Sequence, residues 1–564
     1  MGEVDLLVRQ LHVSRILAHL LVKRGLTDPE DAEAFLKPAL KGLGNPLKLT
    51  NLEKAANRIL KAVWENESII ILGDYDVDGV TSTTLLVSFL KIFGSLPRYV
   101  VPRRLEEGYG MSKPLIDRAI SEEHPSLFIA LDCGTNSIEE VTYLREKGID
   151  VIIVDHHQST QEESADCILV NPHVFDPEDS PWRDLCSVGL TFKLVHGIVK
   201  ILREQGNEEA HQIQLKDYLD LVALGTIADL VPLREENRIL VRHGLRRLRQ
   251  STRCGIQALF QVSGLGMEGK DLRASDISFR LGPRINASGR LADAALPIEM
   301  LLSENFQDSI QAARQLDEMN SERQRIERDI VTEAEEMVSL HYQDSNGVVV
   351  FNQSWHPGVV GIVASRLTNI LKKPTIVLGA EGNIAKGSGR SVPGLDLVKA
   401  LGFAETLLID YGGHPMAVGL SLNQKDLAKF RETFDRAVKE LGGDETFEPV
   451  LDIDCWIQPE DIAASLLDQL EQLHPFGQGN PEPVLGTRFM ELVVDPQPFG
   501  EGGKNFRFYH FNPQGERISA IAWNLGSRLP PARVPIDLAF KFAWNHYNGT
   551  SSPQMEILDW RLSQ

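Results

Sequence analysis

Residues 68–79 read Ser-Ile-Ile-Ile-Leu-Gly-Asp-Tyr-Asp-Val-Asp-Gly, and they constrain the chain more than any other stretch. A run of apolar β-formers stops at Gly73, and carboxylates follow at Asp74, Asp76 and Asp78 before Gly79. Such a run reads as a buried strand. It must deliver three acids to its carboxyl end, where the sites of parallel α/β sheets form. Three carboxylates that close repel one another unless cations lie among them, so the pattern predicts a divalent-metal site. An EF-hand loop begins in the same way. Counting from Asp74, however, Leu85 falls where that loop needs a bidentate Glu, and a strand stands where it needs a helix.

Two further clusters repeat the arrangement. Leu127-Phe-Ile-Ala-Leu leads into Asp132, and Asp150-Val-Ile-Ile-Val leads into Asp155, His156 and His157. A helical pattern over 137–148, with Ser137 as its cap, separates them. Strand–helix–strand alternation predicts a parallel sheet with all three clusters on one rim. A fourth acid, Asp229, ends the apolar helical run that begins at Tyr218. Any one of these residues alone reads as a turn or capping residue; their convergence on one edge points to chemistry.

On these residues the chain resembles the DHH phosphoesterase superfamily, named for the triplet seen here as Asp155-His156-His157, and within it the RecJ branch. Further motifs carry the likeness: Gly225-Thr-Ile-Ala-Asp229, Gly282-Pro-Arg-Ile-Asn-Ala-Ser-Gly-Arg290, Trp355 to Arg366, Gly387-Ser-Gly-Arg390 and Gly412-Gly-His414. Val77 and Val418 stand where the branch usually has Ala. The resemblance implies a 5′→3′ exonuclease that degrades single-stranded DNA to mononucleotides with two ions of Mn²⁺ or Mg²⁺, acting in repair and recombination. It places one ion on Asp74 and Asp76, the other on Asp78, His156 and Asp229, with Asp132 bridging. His157 would then reach a substrate phosphate and Asp155 would orient the ligands. It also implies a cytoplasmic, nucleoid-associated enzyme working beside a single-strand-binding protein and a helicase. Two alternatives are a phosphodiesterase of short RNA oligonucleotides or cyclic dinucleotides, and a replication scaffold that has lost its metals.

At 564 residues the chain exceeds what one core supports. The domains expected are a helical leader (1–50), an α/β DHH catalytic domain (51–265), a connecting region with one long helix (266–345), a DHHA1 substrate domain (346–445) and an OB-like barrel (446–564). No apolar run approaches a membrane span, no signal peptide is visible at the N-terminus, and the five scattered cysteines contain no Cys-x-x-Cys. The net charge of −21 argues against broad duplex binding, but leaves room for a local basic groove. Candidate substrate groups are Arg103 or Arg104 with Tyr109, then Arg284, Asn286 and Arg290 in the glycine-rich motif 282–290, where a turn with solvated arginines is the rival reading. Ser388 and Arg390 are expected in an anion-cradling loop, and His414 in a Gly-Gly loop. Arg234, Arg238, Arg242 and Arg246 recur every four residues, which predicts a solvated helix face.

Overall fold

The computed structural model describes residues 2–103, 107, 110–159, 166–266, 271–291, 294–342, 345–442, 450–547 and 550–563. Arg104 and Tyr109 lie outside the described residues, as does the side chain of Arg290.

Five parallel strands form the first sheet: β1 (Ile69–Gly73), β2 (Arg98–Val100), β3 (Leu127–Leu131), β4 (Asp150–Val154) and β5 (Ile168–Val170), in the order β2-β1-β3-β4-β5. β1 and β3 are buried at every position because helices cover both faces of the sheet, which is why their sequences are unbroken apolar runs. The three strands that end in acids, β1, β3 and β4, are direct neighbours in register. The expectation of one shared rim holds.

The second unit is a mixed sheet of β6 (Val348–Phe351), β7 (Thr375–Glu381), β8 (Ile384–Arg390), β9 (Leu408–His414) and β10 (Ala417–Asn423), ordered β6-β7-β8-β10-β9. A single helix of 36 residues, Phe306–His341, joins the two units. Its first half buries Ile310, Ala313 and Leu316 in the core of the first unit, and its second half buries Ile330, Ala334 and Val338 in the core of the second unit.

The C-terminal region holds seven strands: β11 (Cys455–Ile457), β12 (Leu485–Glu491), β13 (Gln497–Phe499), β14 (Asn505–Phe511), β15 (Arg517–Ala522), β16 (Pro535–Tyr547) and β17 (Thr550–Leu562). The leader helices Glu3–Leu11, Arg15–Lys23 and Pro29–Leu36 are not a separate body. Leu7, Leu17, Leu20, Leu21 and Leu36 share one hydrophobic core with Ile457, Phe506, Phe540 and Met555, so the two ends of the chain make one module.

That module explains a correction. The arginine stripe is a solvated face only at its two ends. Arg234 precedes the helix Glu235–Arg249 and reaches Asp184, while Arg238 is only 2% exposed. The Arg238 guanidinium lies 3.5 Å from the centroid of the Phe35 ring. It donates to the carbonyls of Phe35 (2.8 Å), His474 (2.9 Å) and Gln472 (3.3 Å). Arg242 also donates to His474 O, while Arg234 and Arg246 are exposed as expected. The helix runs along the seam between the catalytic domain and the end-to-end module, and the arginines satisfy carbonyls that the seam removes from water. A second pin is Lys193, fully buried, whose Nζ donates to both oxygens of Glu236 and to Gly44 O.

Candidate active site

Each acid on the rim is set by its local backbone. Asp76 caps the helix Val77–Ile92; its Oδ1 accepts from the N–H groups of Asp78 (2.9 Å) and Gly79 (3.1 Å). Only glycine fits at 79: a Cβ there would lie 2.4 Å from Asp74 O and 2.5 Å from Asp74 N. Asp78 is 1% exposed and receives the N-terminus of a distant helix, Ser187–Glu204, accepting from Ser187 N–H (2.7 Å) and Val188 N–H (2.8 Å). Those amides and the helix dipole stabilise its charge. Asp132 sits at φ 66°, a left-handed conformation that costs a residue other than glycine about 1–3 kcal/mol. Its N–H is fixed on Val154 O.

The Asp-His-His triplet is organised around Asp155, which is 1% exposed. Its Oδ1 accepts from the N–H of His156 (2.8 Å) and of His157 (3.2 Å), and pairs with His157 Nδ1 (2.7 Å). Its Oδ2 accepts from Thr135 N–H (3.1 Å) and Oγ1–H (2.7 Å). Behind Thr135 the buried Asn171 donates to Thr135 Oγ1 and to His157 O. Burial alone would raise the Asp155 pKa; the hydrogen bond and charge of His157 overcome it and hold the carboxyl well below its usual range. The partnership acts on His157 as well, where burial opposes protonation but Asp155 lifts the imidazole to about 9. His156 is pushed the other way, to about 4, by burial and by the neighbouring His157. It is therefore a neutral imidazole, the form that ligates metals.

Ligand atoms converge in three groups, each within 4.8 Å: Asp74, Asp76 and Asp132; Asp78, His156 and Asp229; and Asp132, His156 and His157. His156 Nε2 stands 3.5 Å from Asp132 Oδ1, 3.5 Å from Asp229 Oδ2 and 4.0 Å from Asp78 Oδ2. Asp132 Oδ1, His156 Nε2 and Asp229 Oδ2 are buried with no hydrogen-bond partner among the described residues. Buried polar atoms are nearly always satisfied, so three orphans facing one another mark a site for a cation. Burial and mutual repulsion raise the pKa of Asp78, Asp132 and Asp229 far above the carboxylate range. A divalent ion would reverse that. The donor set of carboxylate oxygens with imidazole nitrogen suits Mn²⁺ and Mg²⁺.

Comparison with known proteins agrees. Residues 68–226 match the DHH family, N-terminal domain, residues 344–440 the DHHA1 domain, and residues 453–559 the RecJ OB domain. The single-stranded-DNA-specific exonuclease RecJ of Bacillus subtilis is 34% identical over 568 residues, covering 100% of this chain and 70% of the relative. That of Escherichia coli is 33% identical over 570 residues, covering 96% and 95%.

The chain belongs to the RecJ family.

The crystal structure of RecJ from Thermus thermophilus in complex with Mn²⁺ has a TM-score of 0.82 at 26% identity, over 100% of this chain and 78% of that one. RecJ from the same organism has also been solved with Mg²⁺. The likeness to RecJ spans the catalytic sheet, the second unit and the C-terminal module.

The expected substrate groups fare unevenly. The motif 282–290 is no turn but a helix, Gly282–Leu291, entered through a π-helical turn at Ile277–Leu281. Arg284, expected to touch phosphate, is instead turned to Asp317 at 2.8 Å. Asn286 works from within, its Oδ1 accepting from Val77 N–H (3.1 Å) between two of the acids. Ser388 and Arg390 are on strand β8 and His414 ends strand β9, so neither group forms the expected loop. The pleat supplies the presentation: Arg390, Ala417 and His414 are register partners across β8, β10 and β9, which puts Arg390 and His414 on one face. The helix Val360–Leu371 closes over them at Gly361, whose Cβ would lie 3.2 Å from Ser388 Oγ and 3.6 Å from an Arg390 nitrogen. Burial pushes Arg390 below its ordinary pKa, and among the described residues no carboxylate pairs with it.

Sequence reasoning missed Thr135, Asn171, Ser187 and Val188. Thr135 was within reach, three residues past Asp132 in the same turn. Nothing in the sequence ties Ser187 to Asp78 across more than a hundred positions.

Proposed function

We infer that this chain is a metal-dependent exonuclease specific for single-stranded DNA, degrading it from the 5′ end to mononucleotides. The observation that carries the reading is the group of orphaned atoms on Asp132, His156 and Asp229 at the carboxyl rim of a parallel sheet. Two ions of Mn²⁺ or Mg²⁺ bound there would neutralise charge on the scissile phosphodiester and make hydroxide available near neutral pH. Asp74 and Asp76 would hold one ion, Asp78, His156 and Asp229 the other, with Asp132 between them. His157, kept protonated by Asp155, donates a hydrogen bond to a phosphate oxygen. Asp155 anchors both histidines, Thr135 anchors Asp155, and Asn171 holds Thr135 Oγ1 and His157 O. Ser388, Arg390 and His414 bind the terminal phosphate, the Arg guanidinium bidentately. Arg104, Tyr109 and Arg290 are the further residues we assign to substrate binding. The C-terminal module, which short-substrate phosphodiesterases have no use for, favours a long single strand.

The domains we propose are a catalytic domain 51–265, connecting region 266–345, substrate domain 346–445 and an OB module of 446–564 that takes in the leader to 50. Among the described residues no helix is long and apolar enough to cross a membrane. We place the enzyme in the cytoplasm at the nucleoid, in repair and recombination, with a single-strand-binding protein and a helicase beside it. The test is digestion of 5′- and 3′-labelled single strands, and of duplex, with Mn²⁺, Mg²⁺ or chelator. Release of labelled mononucleotide first from the 5′ end, only with metal and only from single strands, is expected. Equal cleavage of duplex, or cleavage in chelator, refutes the reading.

A further inference from the structure

Three acids of the metal centre have backbone anchors of their own. Asp76, Asp78 and Asp155 each accept from at least two backbone amides. Asp229 does not: among the described residues its Oδ2 has no hydrogen-bond partner, and its backbone, held upstream by its N–H on Gly225 O (2.9 Å), runs straight into the loop that follows. That backbone is constrained. Leu230 stands at φ 61°, a left-handed conformation that leucine keeps only when its surroundings impose it.

The constraint comes from the C-terminal module. Leu233 donates its N–H to Gln478 O at 2.7 Å. Gly477 and Gly479 lie flush against the loop: a Cβ would fall 2.7 Å from Leu233 Cδ1 at position 477, and 3.0 Å from Pro232 Cβ at position 479. Leu233 is 2% exposed and has little room to retreat. The segment making these contacts is itself immobilised. Asn480 Nδ2 donates to Leu473 O and Pro475 O, both at 2.8 Å, and its Oδ1 accepts from Arg24 of the leader at 2.9 Å. Arg238 grips the same segment at His474 O.

We propose that the segment Leu473–Pro481 is a positioning element for the metal centre: by fixing the 230–233 loop it aims the Asp229 carboxylate, with Gly477 and Gly479 as the positioning residues. The proposal rests on the metal-dependent nuclease reading and deepens it. The C-terminal module then completes the catalytic site in addition to holding DNA, and loading of the second ion depends on the seam being closed.

The test uses the full chain. Gly477 has no left-handed backbone, so Gly477→Ala adds only the clash with Leu233, and Gly477→Ala with Leu233→Val removes it. Mn²⁺ binding is measured without DNA by calorimetry and by the electron-paramagnetic signal of the free ion; kcat and KM are measured on a long single strand. Gly477→Ala should weaken Mn²⁺ binding about 10- to 100-fold, the range for groups that orient a ligand. It should lower kcat and leave KM within about twofold, and the double variant should recover most of the affinity. Unchanged Mn²⁺ affinity with a raised KM would mean the segment serves DNA alone and would overturn the proposal, as would a loss that Leu233→Val does not rescue. If Gly477→Ala does not fold, Leu233→Ala, which loosens the same contact by opening space, must weaken Mn²⁺ binding in a folded protein or the proposal fails. A wild-type chain that binds no Mn²⁺ sinks the nuclease reading itself, whereas wild-type binding with unaffected variants sinks only this proposal.

Discussion

The C-terminal barrel should not fold without the first 37 residues of the chain. Leu7, Leu17, Leu20 and Leu21 are at most 1% exposed and Leu36 is 7% exposed, all in the core that Phe506, Phe540 and Met555 complete. Burying a leucine side chain is worth about 1.5–3 kcal/mol, so five contribute roughly 8–15 kcal/mol, an upper bound because the unfolded chain already buries part of that surface. A whole domain is stable by only about 5–15 kcal/mol. Residues 450–563 alone would therefore expose an apolar face and lose a term as large as their entire stability. The assay compares that fragment with a fusion carrying residues 2–37 on a flexible glycine–serine linker, by thermal melting under circular dichroism and by amide exchange. The fusion should melt cooperatively, and the fragment should not, or should melt tens of degrees lower. A cooperative transition of the bare fragment within a few degrees of the fusion would refute the reasoning. The practical corollary is that truncation cannot separate DNA binding from catalysis in this protein.

Asp132→Ala should abolish cleavage while the far-ultraviolet spectrum and melting point hold, since it removes the acid shared by two ligand groups and also relieves a repulsion; near-wild-type turnover in Mn²⁺ would rule out its bridging role. Arg390→Ala should reduce the preference for 5′-phosphorylated over 5′-hydroxyl strands by at least about tenfold, the scale of a charge-assisted hydrogen bond, and an unchanged ratio of initial rates would remove the assignment. Lys193→Met should destabilise the protein by about 3–5 kcal/mol in urea titration, because Glu236 is left charged and buried, while Lys193→Met with Glu236→Leu should recover much of the loss; a single-variant cost below about 1 kcal/mol would contradict the burial. His474 lies 3.8 Å from Glu471, yet burial and the charges of Arg273, Arg242 and Arg238 push its pKa down to about 2, so it is neutral in the fold. Its contribution to stability is complete above the unfolded value near 6.5 and is lost as pH falls below it; His474→Gln should flatten the fall in urea midpoint between pH 7 and pH 5, and parallel profiles would refute the shift.

The catalytic rim was legible because its signal is local. Each cluster is an apolar run followed by an acid, and a parallel sheet forces the ends of β1, β3 and β4 onto one edge. The long helix was legible for the same reason, through its 3.6-residue period. What failed were features decided by distant partners. The arginine stripe has the spacing of a wet face, and nothing in its own sequence says that Phe35 and His474 will cover it. The glycines near Ser388 and His414 suggest loops, yet strand pairing uses them for flat, close approach. The shared core of leader and barrel joins segments more than 400 positions apart, beyond the reach of any periodicity.

The helix Phe306–His341 has a mechanical consequence. At 1.5 Å per residue it is a rod of about 54 Å, clamped at one end among Ile310, Ala313 and Leu316 and at the other among Ile330, Ala334 and Val338. A tilt of about 5° about Ala313 would swing the far tip, about 42 Å away, by about 4 Å without breaking a strand. A strand-degrading enzyme must let go of one nucleotide and draw in the next at every turnover. A helix of this length would gear any such motion: slight repacking at its root would become a displacement of several ångströms at its tip.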